Sequence, residues 1–160
     1  MALVQDNAAT TLLDQYEPPE RRNNDLMREI QLDIAIAVVS RWVVEPIQTA
    51  VQLQQLPHNW DRDGSPPPSE TAVNTAIQII DNAARVGFDD FPAPHVFPVP
   101  GGGVQLEWRQ GERRLEIEVL PTGEAEYLKL QPGLPGEEGE FPTWPPTQSK
   151  HIFEWLVAFE

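Results

Sequence analysis

Between Gly103 and Leu120 the chain reads GVQLEWRQGERRLEIEVL, and apolar and polar residues alternate through nearly all of it. A period of two belongs to a strand with one buried face; wound as a helix, the same residues would scatter around the axis. Val104, Leu106 and Trp108 fall on one face against Gln105, Glu107 and Arg109. Leu115, Ile117 and Val119 then oppose Arg114, Glu116 and Glu118. Gln110-Gly111 between the two runs predicts a two-residue hairpin turn. That turn would set Arg109 across from Glu112, Glu107 across from Arg114, Leu106 across from Leu115 and Val104 across from Ile117, so that acid meets base. A second turn at PTG (121–123) leads into EAEYLKLQ, a third strand, and Val96 to Val99 can add a fourth at the edge, where Pro98 is tolerated.

Helical signals flank this meander. Ser69 precedes ETAVNTAIQIIDNAARV, Glu70 suits the positive end of the helix dipole, and Val73, Ile77, Ile80 and Ala84 make an apolar stripe. Gly87-Phe88 has the form of a left-handed helix stop. SKHIFEWLVAF near the C-terminus predicts a short helix with Ile152, Trp155, Leu156 and Phe159 inward. The segment DLMREIQLDIAIAVVSRWVVEPIQTAVQLQQL (25–56) reads as an apolar helix, although Ile30, Leu32, Ile34, Ile36 and Val38 also alternate. Pro46 should kink or divide it, and Pro57 should stop it.

The expected fold class is therefore α+β: an antiparallel meander of three to four strands packed by helices. Residues 1–24 read as a flexible arm and 25–160 as a single domain. Within that domain 25–56 is the apolar helical segment, 69–87 the amphipathic helix, 96–130 the meander, 131–147 an acidic loop and 148–159 the C-terminal helix. At 160 residues such a chain can bury roughly two-thirds of its unfolded surface without staples.

The motifs LPHNWDRDGSPPPSETA and PGGGVQLEWRQGERRLEIEVLPTGEAEYL, in that order, resemble a loose group of uncharacterised bacterial proteins that carry an N-W-D-x-x-G segment followed by a G-G-x-Q-L-E-W strand. The resemblance spans about residues 56 to 130. It implies a helix followed by antiparallel strands, and it brings no activity with it.

Composition excludes several chemistries. The chain has no cysteine, so disulfides, thiolate nucleophiles and thiolate zinc sites are absent, and a cytoplasmic location is expected. The opening MALVQDNAATTLLDQYEPPE lacks the basic and apolar runs of a secretory signal. The apolar window 32–51 carries Asp33, Arg41, Glu45 and Pro46, which suits a buried or partner-covered helix and not a membrane span. A net charge of −14 opposes nucleic-acid binding and favours a basic protein partner.

One stretch invites a metal. From Asn59, NWDRDGSPPPSE has the spacing of a calcium loop, with Asn59, Asp61, Asp63 and Glu70 as side-chain ligands, Gly64 at the turn and Ser65 offering a carbonyl. Against this stand Asn in the first position, a triple proline and the lack of a second loop. The competing expectation is structural: Trp60 buried as an anchor, Gly64 turning the chain and Pro66–Pro68 leading to the Ser69 cap. His58, His95 and His151 lie in three separate segments and show no zinc spacing. Glu107, Glu116 and Glu118 share a sheet face, as a glycosidase pair would, and a solvated outer face looks the same. No nucleophile or phosphate-loop motif appears, and no catalytic residue or cofactor is expected.

The expected function is a small acidic protein-binding module, antitoxin-like or inhibitor-like, docked on a basic partner surface. Glu107, Glu116, Glu118, Glu137, Glu138 and Glu140 would supply the charge. The alternative is an accessory subunit of a larger bacterial assembly, such as a defence complex, held through Ile34, Val38 and Trp42. If that apolar side lacks a cover, self-association is expected. A metal-dependent hydrolase is the third reading, and it would lose activity to a chelator.

Overall fold

Alternation turns into pairing at the centre of the fold. The computed structural model of the chain describes residues 42–85 and 91–158. Its order is helix α1 (residues 42–53), α2 (Glu70–Arg85), β1 (His95–Val99), β2 (Gly103–Gln110), β3 (Arg113–Val119), β4 (Ala125–Leu130), β5 (Glu137–Glu140) and α3 (Pro146–Val157). The strands form one antiparallel sheet in chain order, β1-β2-β3-β4-β5. The sheet thus has five strands where the sequence predicts three to four. The expected edge strand over Val96–Val99 is present, and β5 lies inside the stretch 131–147 that reads as a loop.

The central hairpin has the predicted faces in a different register. Val104 pairs with Val119, Leu106 with Ile117 and Trp108 with Leu115, and all six side chains are fully buried. The two-residue turn is Gly111-Glu112 and not Gln110-Gly111, with Gln110 and Arg113 as the last pair. Gly111 has φ +58°, so glycine stands at the first central position, as a type II′ turn requires. Moving the turn by one residue shifts the pairing by two, which keeps every side chain on its own face. On the outer face it replaces the predicted acid–base contact by Glu107 across from Glu116 and Arg109 across from Arg114.

Helices α2 and α3 lie across β2 and β3. The N-terminus of α2 is capped by Ser69, whose Oγ accepts the Ala72 N–H at 3.0 Å and donates to the Pro121 carbonyl at 2.8 Å. One hydroxyl therefore closes the helix and ties it to the β3–β4 loop. Ala72, Val73, Ala76, Ile79, Ile80 and Ala83 are buried, while Ile77 and Ala84 of the expected stripe are half-buried. The contact line runs instead along the alanines, which let the helix approach the sheet closely.

Phe153 of α3 is the hub of the core. It is fully buried, with ring centroids of Trp108, Phe141 and Phe91 at 5.7, 5.7 and 5.8 Å in edge-on arrangements, the geometry that ring quadrupoles favour. Ile152 and Leu156 are buried as predicted. Trp155 is half-buried at the sheet margin, and Phe159 lies outside the described residues. The Arg113 guanidinium donates to the Trp155 carbonyl at 2.9 Å and to the Ala158 carbonyl, satisfying groups that a helix end leaves open.

Of the predicted segment 25–56, the helix 42–53 falls among the described residues. Pro46 does not divide it: the run is unbroken through Pro46 and closes in a turn at 54–55, ahead of Pro57. The proline removes one N–H donor from the helical ladder, and the run continues past it. Ala50 and Leu53 reach the core. The predicted stop at Gly87-Phe88, the 1–24 arm and residues 25–41 lie outside the described residues. Among the described residues no helix is long and apolar enough to cross a membrane.

Candidate functional site

The sheet has two unlike faces. On the inner one, β4 contributes Ala125, Tyr127 and Lys129 beside the β3 residues Val119, Ile117 and Leu115. On the outer one, where no described helix packs, the register sets two rows. The first runs His95, Glu107, Glu116, Leu128, Glu138, and the second Phe97, Gln105, Glu118, Glu126, Glu140.

Within these rows carboxylate therefore faces carboxylate in three places: Glu107 across from Glu116, Glu118 across from Glu126, and Glu126 across from Glu140. Each such pair is destabilising by a few tenths of a kcal/mol up to about 1. Relief is partial. Gln105 Nε2 donates to Glu107 Oε1 at 2.9 Å, and Arg114 Nε lies 2.8 Å from Glu116 Oε1. Glu118, Glu126, Glu138 and Glu140 line one shallow hollow of about 410 Å³ together with Leu128. A second hollow, of about 430 Å³, begins at the same Glu126 and Glu140 and reaches Glu124 and Trp144.

Glu137, expected to join this surface, lies in the inner row. It pairs with Lys129 across β4–β5, and Lys129 Nζ lies 2.8 Å from its Oε1. The same oxygen accepts the Tyr127 hydroxyl at 3.0 Å. The Lys129 ammonium is also 5.4 Å from the Tyr127 ring centroid and 5.5 Å from that of Trp155. Lys129 and then Tyr127 hold the Glu137 carboxyl below its ordinary range, and burial followed by Glu137 pushes the Tyr127 hydroxyl up. Glu137 is thus committed to a buried lysine, while Glu138 and Glu140 face outward. Alternation within EEGE makes that separation, and it becomes visible only once the segment is known to be a strand.

The calcium-like loop turns its acceptors inward on itself. Asp61 Oδ1 accepts the Asp63 and Ser65 N–H groups at 3.0 and 3.1 Å, and Oδ2 accepts the Ser65 hydroxyl. Asn59 Oδ1 accepts the Gly64 N–H at 2.7 Å. The Ser65 hydroxyl and these amides, led by the hydroxyl, hold the Asp61 carboxyl below its ordinary range. Asp63 and Glu70 are exposed, and among the described residues no three His, Asp or Glu side chains converge as a metal shell would need. Trp60 was expected in the core and is half-buried. Its Nε1–H donates to the Pro66 carbonyl at 3.0 Å, so it braces the loop from the rim.

The remaining sequence candidates are dispersed. His58, His95 and His151 are exposed on three separate elements, and the His95 ring stacks on Phe97 at 6.3 Å. Trp42 is half-buried and packs on Phe91, ring centroids 5.9 Å apart; Ile34 and Val38 lie outside the described residues. Glu107, Glu116 and Glu118 do share one face. The signal in the sequence that could have pointed to Trp144 is its setting, FPTWPPT, an aromatic between prolines with no apolar periodicity to draw it inward. Compared with known proteins, the chain matches no family model, no curated protein and no solved structure.

Proposed function

We propose that this chain is a small acidic interaction module whose outer sheet face docks on a basic surface of a partner protein, as an antitoxin-like or inhibitor-like neutraliser does. The observation that carries the reading is the cross-strand register of that face. An ordinary solvated sheet face intersperses both signs of charge. Here Glu107, Glu116, Glu118, Glu126, Glu138 and Glu140 are set in register, and the arginines Arg109 and Arg114 sit together at one end.

The sheet holds these carboxylates at spacings their own repulsion disfavours. A basic partner relieves that repulsion as it binds, so each neutralised pair adds to affinity without rearrangement of the backbone. The net charge of −14 also steers a basic protein toward the chain from a distance and keeps nucleic acid away. A partner that uses its basic groove to hold nucleic acid would be blocked by such a face.

The test is a titration against a basic protein domain and against an acidic one of similar size, at several ionic strengths. The proposal requires that only the basic domain binds, that affinity falls steeply with salt, and that Glu118→Gln/Glu126→Gln/Glu140→Gln removes most of it. Binding that ignores both salt and these substitutions would sink it.

A further inference from the structure

We propose that the occupant of this face is an extended, arginine-bearing segment of the partner, and that one of its guanidinium groups stacks on Trp144 with Glu126 and Glu140 as counter-charges. The inference rests on the docking reading above and adds the chemistry of what docks. Trp144 has 72 % of its surface exposed, the highest among the exposed large apolar side chains of the described residues, and it takes no part in the core cluster. It lines the second hollow together with Glu124, Glu126 and Glu140. Glu126 and Glu140 line the first hollow as well, so the two are one track. That track leads from Glu118 on β3, over β4 and β5, to the loop before α3.

The track crosses two inter-strand spacings, roughly 10 Å, before it reaches the tryptophan. Three or so residues of extended chain cover such a distance at about 3.3 Å each. A planar guanidinium can stack on an indole and bond a carboxylate through two parallel N–H groups at once; a lysine ammonium can do only one of these well. A second copy of this face would set carboxylates against carboxylates, and nucleic acid or an anionic membrane would set phosphates against them.

The full chain is titrated with a short alternating arginine–serine peptide at low ionic strength, with the lysine–serine peptide and spermidine as comparisons. Binding is read by calorimetry, and the indole N–H signal of Trp144, assigned by its loss in Trp144→Ala, is followed in the NMR spectrum. The expected results are a shift of that signal by the arginine peptide and affinity reduced roughly three- to thirtyfold in Trp144→Ala. The lysine peptide should be affected less, and Trp144→Phe should retain part of the affinity. Glu154→Gln on α3 serves as a charge control, and thermal melts confirm that the variants fold.

If the arginine peptide binds, depends on Glu126 and Glu140, and ignores Trp144→Ala, the acidic docking face stands and the proposed stacking is overturned. If spermidine binds as tightly with the same dependence on Trp144, the site takes any small polycation, and the extended segment is overturned. If no basic peptide binds at all, the docking reading itself fails.

Discussion

Glu126 of β4 is the register partner of both Glu118 on β3 and Glu140 on β5, and all three carboxylates line one hollow. Glu126→Gln removes two repulsive contacts at once, so it should raise stability by about 0.5–1 kcal/mol at low ionic strength. The gain should shrink as salt screens the charges. Melting temperature measured with and without added salt checks this. A loss of stability at low salt would mean that these carboxylates are held apart.

The Lys129–Glu137 pair joins unequal partners, since the lysine side chain is 7 % exposed and the glutamate side chain 59 %. Removing the glutamate strands a buried charge; removing the lysine leaves a carboxylate that water already reaches. Glu137→Gln should therefore destabilise by on the order of 1 kcal/mol. Lys129→Met, which keeps the length of the stem, should cost less. Urea melts of the two variants decide it, and the reverse order would contradict the assignment.

The same pair predicts a pH response. The Glu137 carboxyl titrates below its ordinary range in the folded chain, so its stabilisation is present above the unfolded carboxylate value, about 4.3, and is lost as pH falls through the lower folded value. Between pH 6 and pH 3 the wild-type chain should lose more stability than Glu137→Gln does. Parallel acid-denaturation curves for the two would remove the coupling.

In the loop from Asn59 to Ser65 the two aspartates should behave differently. Asp61→Ala leaves the N–H groups of Asp63 and Ser65 and the Ser65 hydroxyl without their acceptor and should be the more destabilising of the two in urea melts. Asp63→Ala should stay within about 0.5 kcal/mol. Trp60→Ala should fall between them, because its ring is half-buried and not a core side chain. Millimolar calcium should leave the melting temperature unchanged. A rise of several degrees, abolished by Glu70→Gln, would restore the metal reading.

On the hairpin, Leu115→Ala should cost about 2–5 kcal/mol, as large-to-small changes at fully buried positions do. Glu116→Ala on the opposite face should lie within about 0.5 kcal/mol. Equal destabilisation in urea melts would contradict the assignment of faces.

What alternation can reveal and what it cannot is clear from this hairpin. It separates the inner residues Leu106, Trp108, Leu115 and Ile117 from their outer neighbours, because period two is a property of each strand alone. Register is a property of two strands, and a shift of two residues leaves the faces intact. Only the turn distinguishes Glu107 against Arg114 from Glu107 against Glu116, and Gly111 fits either of two turn positions. Strand β5 was hidden for another reason: EEGE has no apolar residue to show a buried face. Its inner residues are Glu137, held by the buried Lys129, and Gly139. A Cβ added at Gly139 would come within 3.1 Å of the Tyr127 ring, so the glycine makes room for that ring, and no local pattern announces this. The cap at Ser69 was legible because it depends on neighbours in sequence, whereas its bond to Pro121 depends on the fold.

The sequential strand order also bears on how quickly the sheet can be reached. The connections β1–β2, β2–β3, β3–β4 and β4–β5 span residues 100–102, 111–112, 120–124 and 131–136. Each ladder can thus zip from a short loop already closed, at little entropic cost. Distant closures include those that bring Ser69 to Pro121, Trp42 to Phe91 and α3 back over β2 and β3. Substitutions in the β2–β3 hairpin should consequently slow refolding, while those that loosen Phe153 or the Ser69 tie should chiefly speed unfolding. How long the native state persists would then be governed by the seams between helices and sheet, and the speed of its formation by the sheet.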